Sequence, residues 1–397
     1  MISTRILLFI VFASAICWPV GSALAVTRID GVQIDRSTPS PPSGLCLSGV
    51  FDMSQFGVLS FTETSSLLVQ DVAPLQQSYD GFGYLSINNG VGTDTLYVYN
   101  LDSFTVTATA AVNVANAPDT ANTFRGSRYN SFTDLFQFVG NQPAGGGCLQ
   151  PNGCVHTRGF PSGSVTPLTN IISGIDITAS TFGVAQIDSL FTYMTVENLA
   201  VMKLHRINSL TGASVQQENQ TTSYTLWTQD GTYLYADDFV LGTNLIRYTE
   251  KSNLTNTATF TFTTAGGGVG GLAVNNGFLY IGVFSDGVQL NRLHKVNLTG
   301  FGTVDTILFL AGEFVQNVLL DSMNQKLYVV INSGGTTRVK RVDIASFTVE
   351  QTYNGLTSTN GPSGMFTSID VPHQKLFAPS NGGGGFVTKV EKINLCG

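Results

Sequence analysis

Charge is scarce in this sequence, because only 11% of its 397 residues are Asp, Glu, Lys or Arg, against about a quarter in typical globular proteins. The 19 basic residues are outnumbered by 26 acidic ones, and the net charge is −7. So acidic a surface is a poor partner for nucleic acid or for an anionic membrane. Ser, Thr, Asn and 43 Gly are abundant instead, which suits strands joined by tight turns.

Long apolar runs are also missing, apart from one near the first residue. This run, Ile6 to Ile16, follows Arg5 and leads to Ala23-Leu24-Ala25. It is well short of the roughly 20 residues that a membrane-spanning helix needs, and its layout is that of a secretory signal peptide. We therefore expect residues 1–25 to be cleaved and the mature protein to be secreted and extracellular, with no membrane span.

Only five cysteines occur, and Cys17 lies inside the predicted signal peptide. The others are Cys46, Cys148, Cys154 and Cys396. Four cysteines in an oxidising compartment favour two disulfides. Zinc would need paired short spacings, which this sequence does not have.

A short apolar strand with an aromatic residue, usually after Leu, recurs at intervals of roughly 40–50 residues. The clearest copies are Leu234-Tyr235-Ala236, Leu279-Tyr280-Ile281, Leu327-Tyr328-Val329 and Leu376-Phe377-Ala378, and weaker copies contain Tyr84, Phe136 and Phe191. An apolar strand and a turn such as Asn275-Asn276-Gly277 precede each copy, and two more strands follow it. Four short strands per unit are typical of a β-propeller blade.

Seven copies therefore predict an all-β, seven-bladed β-propeller of four-stranded blades. Six or eight blades are the alternatives, because residues 120–218 match the pattern poorly. Helical repeats are disfavoured, since they need apolar residues at i, i+3 and i+4, whereas these segments alternate with period two. A parallel β-helix is the competing arrangement, but its coils are usually shorter than these units.

The stretches Leu327-Tyr328-Val329-Val330-Ile331-Asn332-Ser333-Gly334 and Val342-Asp343-Ile344-Ala345-Ser346-Phe347-Thr348-Val349 resemble the YVTN-type repeat of surface-layer and periplasmic propellers. Residues 97–106 resemble the second half of that repeat. The resemblance spans most of the predicted mature chain. It implies a propeller fold and, loosely, an extracellular binding or structural role.

The ends of the chain predict how the ring closes. The last copy stops at residues 393–396, one strand short of a blade, and residues 54–61 are similar to residues 346–353. We expect residues 54–62 to pair with residues 389–395 as the outer strand of the last blade, which removes exposed ladder edges. Residues 26–53 are then an N-terminal extension, and residues 54–397 form a single propeller domain.

Ring closure also predicts the disulfide pairing. Cys46 precedes the closing strand and Cys396 ends the strand that it joins, so we expect a Cys46–Cys396 bridge. Cys148 and Cys154 are expected to pair with each other and to pin the Gly/Pro-rich insertion around Gly145-Gly146-Gly147.

Ligands of propellers commonly bind where the loops of one face surround the central channel. Residues in segments that reach this face are Asp237, Asp238, Asp286, Glu313, Gln316 and Asn332. Hard oxygen atoms of this kind suit a calcium-like ion, and no other cofactor is expected. His205 and His294 recur at one blade position, which predicts an exposed structural role rather than a catalytic base.

Catalytic motifs are missing, since no G-x-S-x-G elbow occurs and the glycine clusters lack the Lys-Ser/Thr of a phosphate loop. We therefore predict an extracellular, non-enzymatic module that binds a protein or glycan. The alternatives are a metal-dependent hydrolase or lactonase that uses the channel acids, and a structural component of a cell wall or surface layer. Candidate N-glycosylation sites are Asn219, Asn253 and Asn297, although the repeat pattern also explains two of them.

Overall fold

The computed structural model describes residues 56–60, 71–72, 76–77, 82–88, 95–100, 105–111, 128–130, 135–140, 153–159, 165–172, 180–188, 191–198, 201–220, 227–238, 245–262, 268–283, 291–334, 336–356, 367–371, 374–381 and 387–395. These residues form strands, turns and bends, and they contain no helix. Accordingly, no helix in this part of the chain has the length and hydrophobicity to cross a membrane.

Strands of the described residues form seven antiparallel sheets. The first three consist of β2 (Asp71–Val72), β3 (Gln76–Gln77), β4 (Phe82–Asn88), β5 (Thr95–Asn100) and β6 (Thr105–Ala111); of β7 (Arg128–Asn130), β8 (Leu135–Gly140), β9 (Gly153–Gly159) and β10 (Val165–Ile172); and of β11 (Ser180–Asp188), β12 (Phe191–Asn198), β13 (Val201–Asn208) and β14 (Ser214–Gln220).

Sheets four to six consist of β15 (Trp227–Gln229), β16 (Tyr233–Asp238), β17 (Leu245–Glu250) and β18 (Thr257–Thr261); of β19 (Val269–Asn275), β20 (Phe278–Val283), β21 (Arg292–Asn297) and β22 (Gly302–Leu308); and of β23 (Glu313–Asp321), β24 (Lys326–Ser333), β25 (Thr336–Asp343) and β26 (Thr348–Leu356). The seventh sheet contains β27 (Ser368–Asp370), β28 (Lys375–Asn381), β29 (Val387–Asn394) and β1 (Phe56–Ser60).

The closing strand pairs as the sequence predicts. β1 is antiparallel to β29, and its register runs from Phe56 opposite Ile393 to Ser60 opposite Lys389. The seventh sheet therefore takes its outer strand from the N-terminal side of the chain and its other strands from the C-terminal side.

First strands of successive sheets lie against one another. β11 contacts β15, β15 contacts β19, β19 contacts β23, and β23 contacts β27. The sheets therefore stack in sequence order with their first strands on the inside, as blades do around an axis.

The repeated aromatic residues lie on the second strand of each sheet, and Tyr235, Tyr280 and Tyr328 are buried. The repeated aromatic residue of the third sheet was assigned to Phe191, and this assignment is wrong by two residues. Phe191 lies opposite Asn208, whereas the matching partner of Asn297 is Phe278, two residues before Tyr280. Tyr193, which is buried, is therefore the counterpart of Tyr280. The error arose because residues two apart share one face of a strand.

Turns after the third strands lead to the fourth strand of the same sheet and also contact the preceding sheet. Asn208, Asn297 and Asp343 end these strands, and their side-chain oxygens accept backbone N–H groups from the turns that follow. Four residues after Asn297, Phe301 has a φ of 51°. Its ring stacks on Tyr248 of the preceding sheet, with 4.6 Å between ring centroids. The turn thus carries an apolar side chain into the gap between two sheets.

β19 and β23 approach so closely that glycine is required between them. A Cβ atom on Gly271 would overlap the backbone nitrogen of Val318, and one on Gly270 would overlap the carbonyl of Val315. β19 and β23 are each hydrogen-bonded within their own sheet. Their backbone atoms therefore cannot move aside as a flexible side chain can. The contact between the fifth and sixth sheets therefore depends on these glycines.

Replacement of Gly271 by Ala should lower the free energy of unfolding by roughly 2 kcal/mol or more, since the added methyl group must separate the two sheets. Gly231→Ala is the matched control, because a Cβ atom there would meet nothing within 4 Å. Urea denaturation of both variants checks this prediction. Equal midpoints for the two variants would contradict the close approach.

Candidate functional site

The candidate site lies at the end of the strands where one sheet connects to the next. Residues 309–312 link β22 to β23, and Glu313 begins β23 directly opposite Ser333, the last residue of β24. The connection between β24 and β25 therefore lies beside the connection between the fifth and sixth sheets. Loops at this end of a propeller surround the channel mouth.

Glu313 forms the centre of a buried ion-pair cluster. Its side chain is only 2% exposed, and its Oε1 lies 3.1 Å from Nη1 of Arg338 while its Oε2 lies 2.9 Å from Nζ of Lys340. The backbone N–H of Leu310 also donates to Oε2, at 3.0 Å. One carboxylate thus orders two cations and the connection between the sheets.

Burial alone would raise the pKa of the Glu313 carboxyl, but the hydrogen bonds from Lys340, Leu310 and Arg338 outweigh it and hold the pKa below its ordinary value. The carboxylate is therefore ionised at neutral pH. Because one negative charge faces two positive charges, the cluster has a net charge of +1.

Three apolar side chains near this connection are exposed, but the strand registers place Leu308 and Phe314 on sheet faces turned away from the cluster. Leu308, Leu310 and Phe314 are 59%, 68% and 42% exposed, respectively. Between them, Phe309 is buried and its ring lies 5.1 Å from Nζ of Lys340. Leu310 and Arg338 both donate hydrogen bonds to Glu313, and we call the exposed Leu310 and the partly exposed Arg338 the rim patch.

The other candidate channel residues are divided between sheets. Asp237 is buried in β16 opposite Ile246, and Asp238 is the last residue of that strand. Asn332 lies opposite Phe314. Asp286 lies outside the described residues.

Gln316 occupies a bulge in β23, since its neighbours pair with Val330 and Ile331 and it pairs with neither. Its Oε1 atom is buried and has no hydrogen-bond partner. The structure thus brings Glu313, Gln316 and Asn332 into one sheet, whereas Asp237 and Asp238 belong to another. Among the residues that the structure describes, no group of three or more His, Cys, Asp and Glu side chains could hold a metal ion.

The two histidines share one position, as expected, but the prediction that they are exposed is wrong. His205 and His294 are both buried. Nδ1 of His294 lies 2.9 Å from Oγ1 of Thr306, and burial, helped by the charge of Arg292, lowers the pKa of His294 to about 4. This imidazole is therefore neutral at pH 7 and acts as a packing residue.

Of the candidate glycosylation sites, Asn253 is exposed in the turn after β17, and Asn297 is half-buried at the end of β21. Oδ1 of Asn253 accepts hydrogen bonds from Thr255 and from Gln216 of the preceding sheet. Asn219 lies in β14. Among the predicted disulfide residues, Cys154 lies in β9, while Cys46, Cys148 and Cys396 lie outside the described residues.

Sequence reasoning missed Arg338, Lys340 and Leu310. Arg338 and Lys340 are two residues apart in a strand and therefore share one face, which was a usable signal. Their contact with Glu313 was not predictable from spacing, because it joins the first and third strands of the sheet.

Comparisons with known proteins identify the class of fold. No protein-family model and no curated protein matches the sequence. The chain is similar to a chain in the crystal structure of the mitotic checkpoint complex, with 12% identity, a TM-score of 0.62, and coverage of 94% of this chain and 99% of that chain.

It is also similar to the structure of U3-55K, with 9% identity, a TM-score of 0.60, and coverage of 87% of this chain and 100% of that chain. Both neighbours have WD40-like propeller folds. At such low identity the likeness shows the fold alone, and it agrees with the stacked antiparallel sheets. The chain is a β-propeller.

Glu313→Gln should lower the free energy of unfolding at pH 7 by roughly 1–3 kcal/mol, because it leaves two cations facing a neutral amide. A lowered pKa in the folded state means that the ionised carboxylate stabilises above the ordinary Glu pKa of about 4.3, and that this stabilisation is lost as the pH falls through the folded pKa. The difference between wild type and variant should therefore shrink in acid.

Urea denaturation at pH 7 and at pH 3.5 measures both effects. Asp305→Asn is the control, because Asp305 is exposed and Asn keeps the oxygen that accepts the Thr306 N–H. A Glu313→Gln variant that is no less stable than Asp305→Asn at pH 7 would show that the cluster is not structural.

Proposed function

We propose that this chain is a secreted, non-enzymatic β-propeller that binds a partner protein or glycan at the end of the strands where Glu313 lies. The observation that carries the proposal is the arrangement at the rim patch. Glu313 holds Arg338 and Lys340 in position, and Leu310, whose backbone N–H it accepts, has an exposed side chain. Because both oxygens of the Glu313 carboxylate pair with cations, this carboxylate orders surface side chains instead of coordinating a metal ion.

A protein partner is the form of the proposal that the rim patch supports best. An exposed apolar side chain beside an ordered arginine suits a protein interface, because Arg is enriched there whereas other charged residues are depleted. One structural neighbour comes from a mitotic checkpoint complex, which is an assembly of proteins.

The second part of the proposal is that the chain is exported from the cell. Residues 1–25 have the layout of a signal peptide, and the four remaining cysteines suit an oxidising compartment. In this scheme residues 26–53 are an extension ahead of the propeller domain, and Cys46–Cys396 and Cys148–Cys154 are bridges. Asn253 is exposed and Asn297 is half-buried.

Calcium separates this proposal from the hydrolase alternative. We expect calorimetric titration of the full mature chain with CaCl₂ to give no saturable heat, because Glu313 is neutralised by its own cations. Saturable binding that is lost in both Asp237→Asn and Asp286→Asn, together with hydrolysis of a lactone or ester that requires calcium, would overturn the proposal.

Export can be tested by peptide mapping of protein recovered from a eukaryotic secretory host without reduction. We expect an N-terminus at Val26, a peptide that links Cys46 to Cys396, a second that links Cys148 to Cys154, and a glycan on Asn253. Thr255→Ala should remove this glycan while Thr255→Ser keeps it. Retention of the chain inside the cell, a free thiol or a Cys46–Cys148 peptide would contradict this part of the proposal.

A further inference from the structure

We infer that two copies of this chain associate through β18, the outer strand of the fourth sheet, by antiparallel pairing about a two-fold axis at Thr259. This self-association goes beyond the proposed partner binding, and β18 belongs to a different sheet from the rim patch. The inference follows from the regular register of β18, its lack of charge and the direction of its outward backbone groups.

The outer strand of a propeller blade exposes one backbone edge, and proteins usually interrupt such an edge with a bulge, a charge or a proline. Register shifts interrupt the pairing of β6, β10, β14, β22 and β26 with the third strands of their sheets. β18 pairs with β17 without a shift, from Thr257 opposite Thr249 to Thr261 opposite Leu245. Among the outer strands that the structure describes, β1 is the other one with a continuous register. β18 therefore presents an even edge to solvent.

β18 is also exposed and uncharged. Three of its five residues are exposed, and residues 252–264 contain no Asp, Glu, Lys or Arg. An acid lies in three of the interrupted strands, namely Glu218 in β14, Asp305 in β22 and Glu350 in β26. Two copies with a net charge of −7 each repel one another, and like charges opposite each other in paired strands add to that repulsion. Pairing through β18 adds no such cost.

A hydrogen bond beside β18 determines which of its backbone groups point outward. The N–H of Glu250 donates to the carbonyl of Asn256, at 3.0 Å. In an antiparallel pair, residues bonded in this way alternate with residues whose N–H and C=O point away from the partner strand. Thr257, Thr259 and Thr261 therefore direct their N–H and C=O groups away from β17, to the outside of the sheet.

The outward groups select the register of the second copy. When Thr259 lies opposite its own counterpart, the two residues exchange N–H···O bonds, and the N–H of Thr261 donates to the carbonyl of Thr257. The N–H of Thr257 is not needed, since it already donates within the preceding turn. The other facing pair is Ala258 with Phe260, and Thr–Thr pairs suit a sheet surface. Because the same patch is used by both copies, the association closes at a dimer.

Sedimentation-velocity ultracentrifugation of the full mature protein, freed of N-glycans by an endoglycosidase, tests the inference. We expect a monomer–dimer equilibrium that is weak, because one strand pair covers less area than a standard protein interface. Thr259→Lys and Thr259→Glu should each raise the dimer Kd about tenfold or more, since two like charges then face each other on the axis. An equal mixture of the two variants should form dimers again, because Lys then lies opposite Glu.

Val304→Lys is the matched control, because Val304 is exposed in β22, the outer strand of the next sheet, and the change adds the same charge as Thr259→Lys. Its Kd should equal that of wild type. Equal melting temperatures of all variants establish that each is folded.

Four outcomes would overturn the inference. These are a wild-type protein that stays monomeric at every concentration, a dimer that survives in both Thr259 variants, a mixture of these variants that stays monomeric, or an equal loss of the dimer in Val304→Lys. Each of them leaves the proposed partner binding standing, because that binding uses the rim patch.

Discussion

The close approach of the first strands is the constraint on which this fold depends. A sheet in a propeller must bury both of its faces against its neighbours, and the strands nearest the axis have the least room. Between β19 and β23 this room is so small that Gly270 and Gly271 pack backbone against backbone. Bulges occur in the same inner strands, at Gly270 and at Gln316, between residues whose pairing shifts register. Crowding at the axis therefore determines where side chains can be large.

Away from the axis, neighbouring sheets are held together by packing of turn residues and by ion pairs. Leu254, Phe301 and Phe347 each occupy the turn after a third strand, and each packs in a core with residues of the preceding sheet. Lys251, in the first of these turns, is buried and lies 2.8 Å from Oδ2 of Asp188 in the preceding sheet. Each of these contacts connects a turn of one sheet to the sheet before it in the chain. Neighbouring sheets therefore stabilise each other.

Much of the fold could be predicted because its signals are local. Alternation with period two, turns such as Asn276-Gly277 and the recurring aromatic residue all act within a few residues. The closing strand was predictable because β1 repeats the pattern of a strand that the last copy lacks. The burial of His205 and His294 was not, since it depends on which face of a sheet the next sheet covers. The role of Glu313 was missed for a similar reason, because its partners lie in the third strand.

The divided seventh sheet has a consequence for how the protein is made. Of the strands that the structure describes, β1 is synthesised first and its partner β29 last. β1 therefore has no native partner until β29 has emerged from the ribosome. Pairing across so long a stretch of chain is slow, because the entropy of closing a large loop must be overcome first. During that delay β1 is an unpaired apolar segment, and a chaperone that shields it would protect the nascent ring from association with other chains.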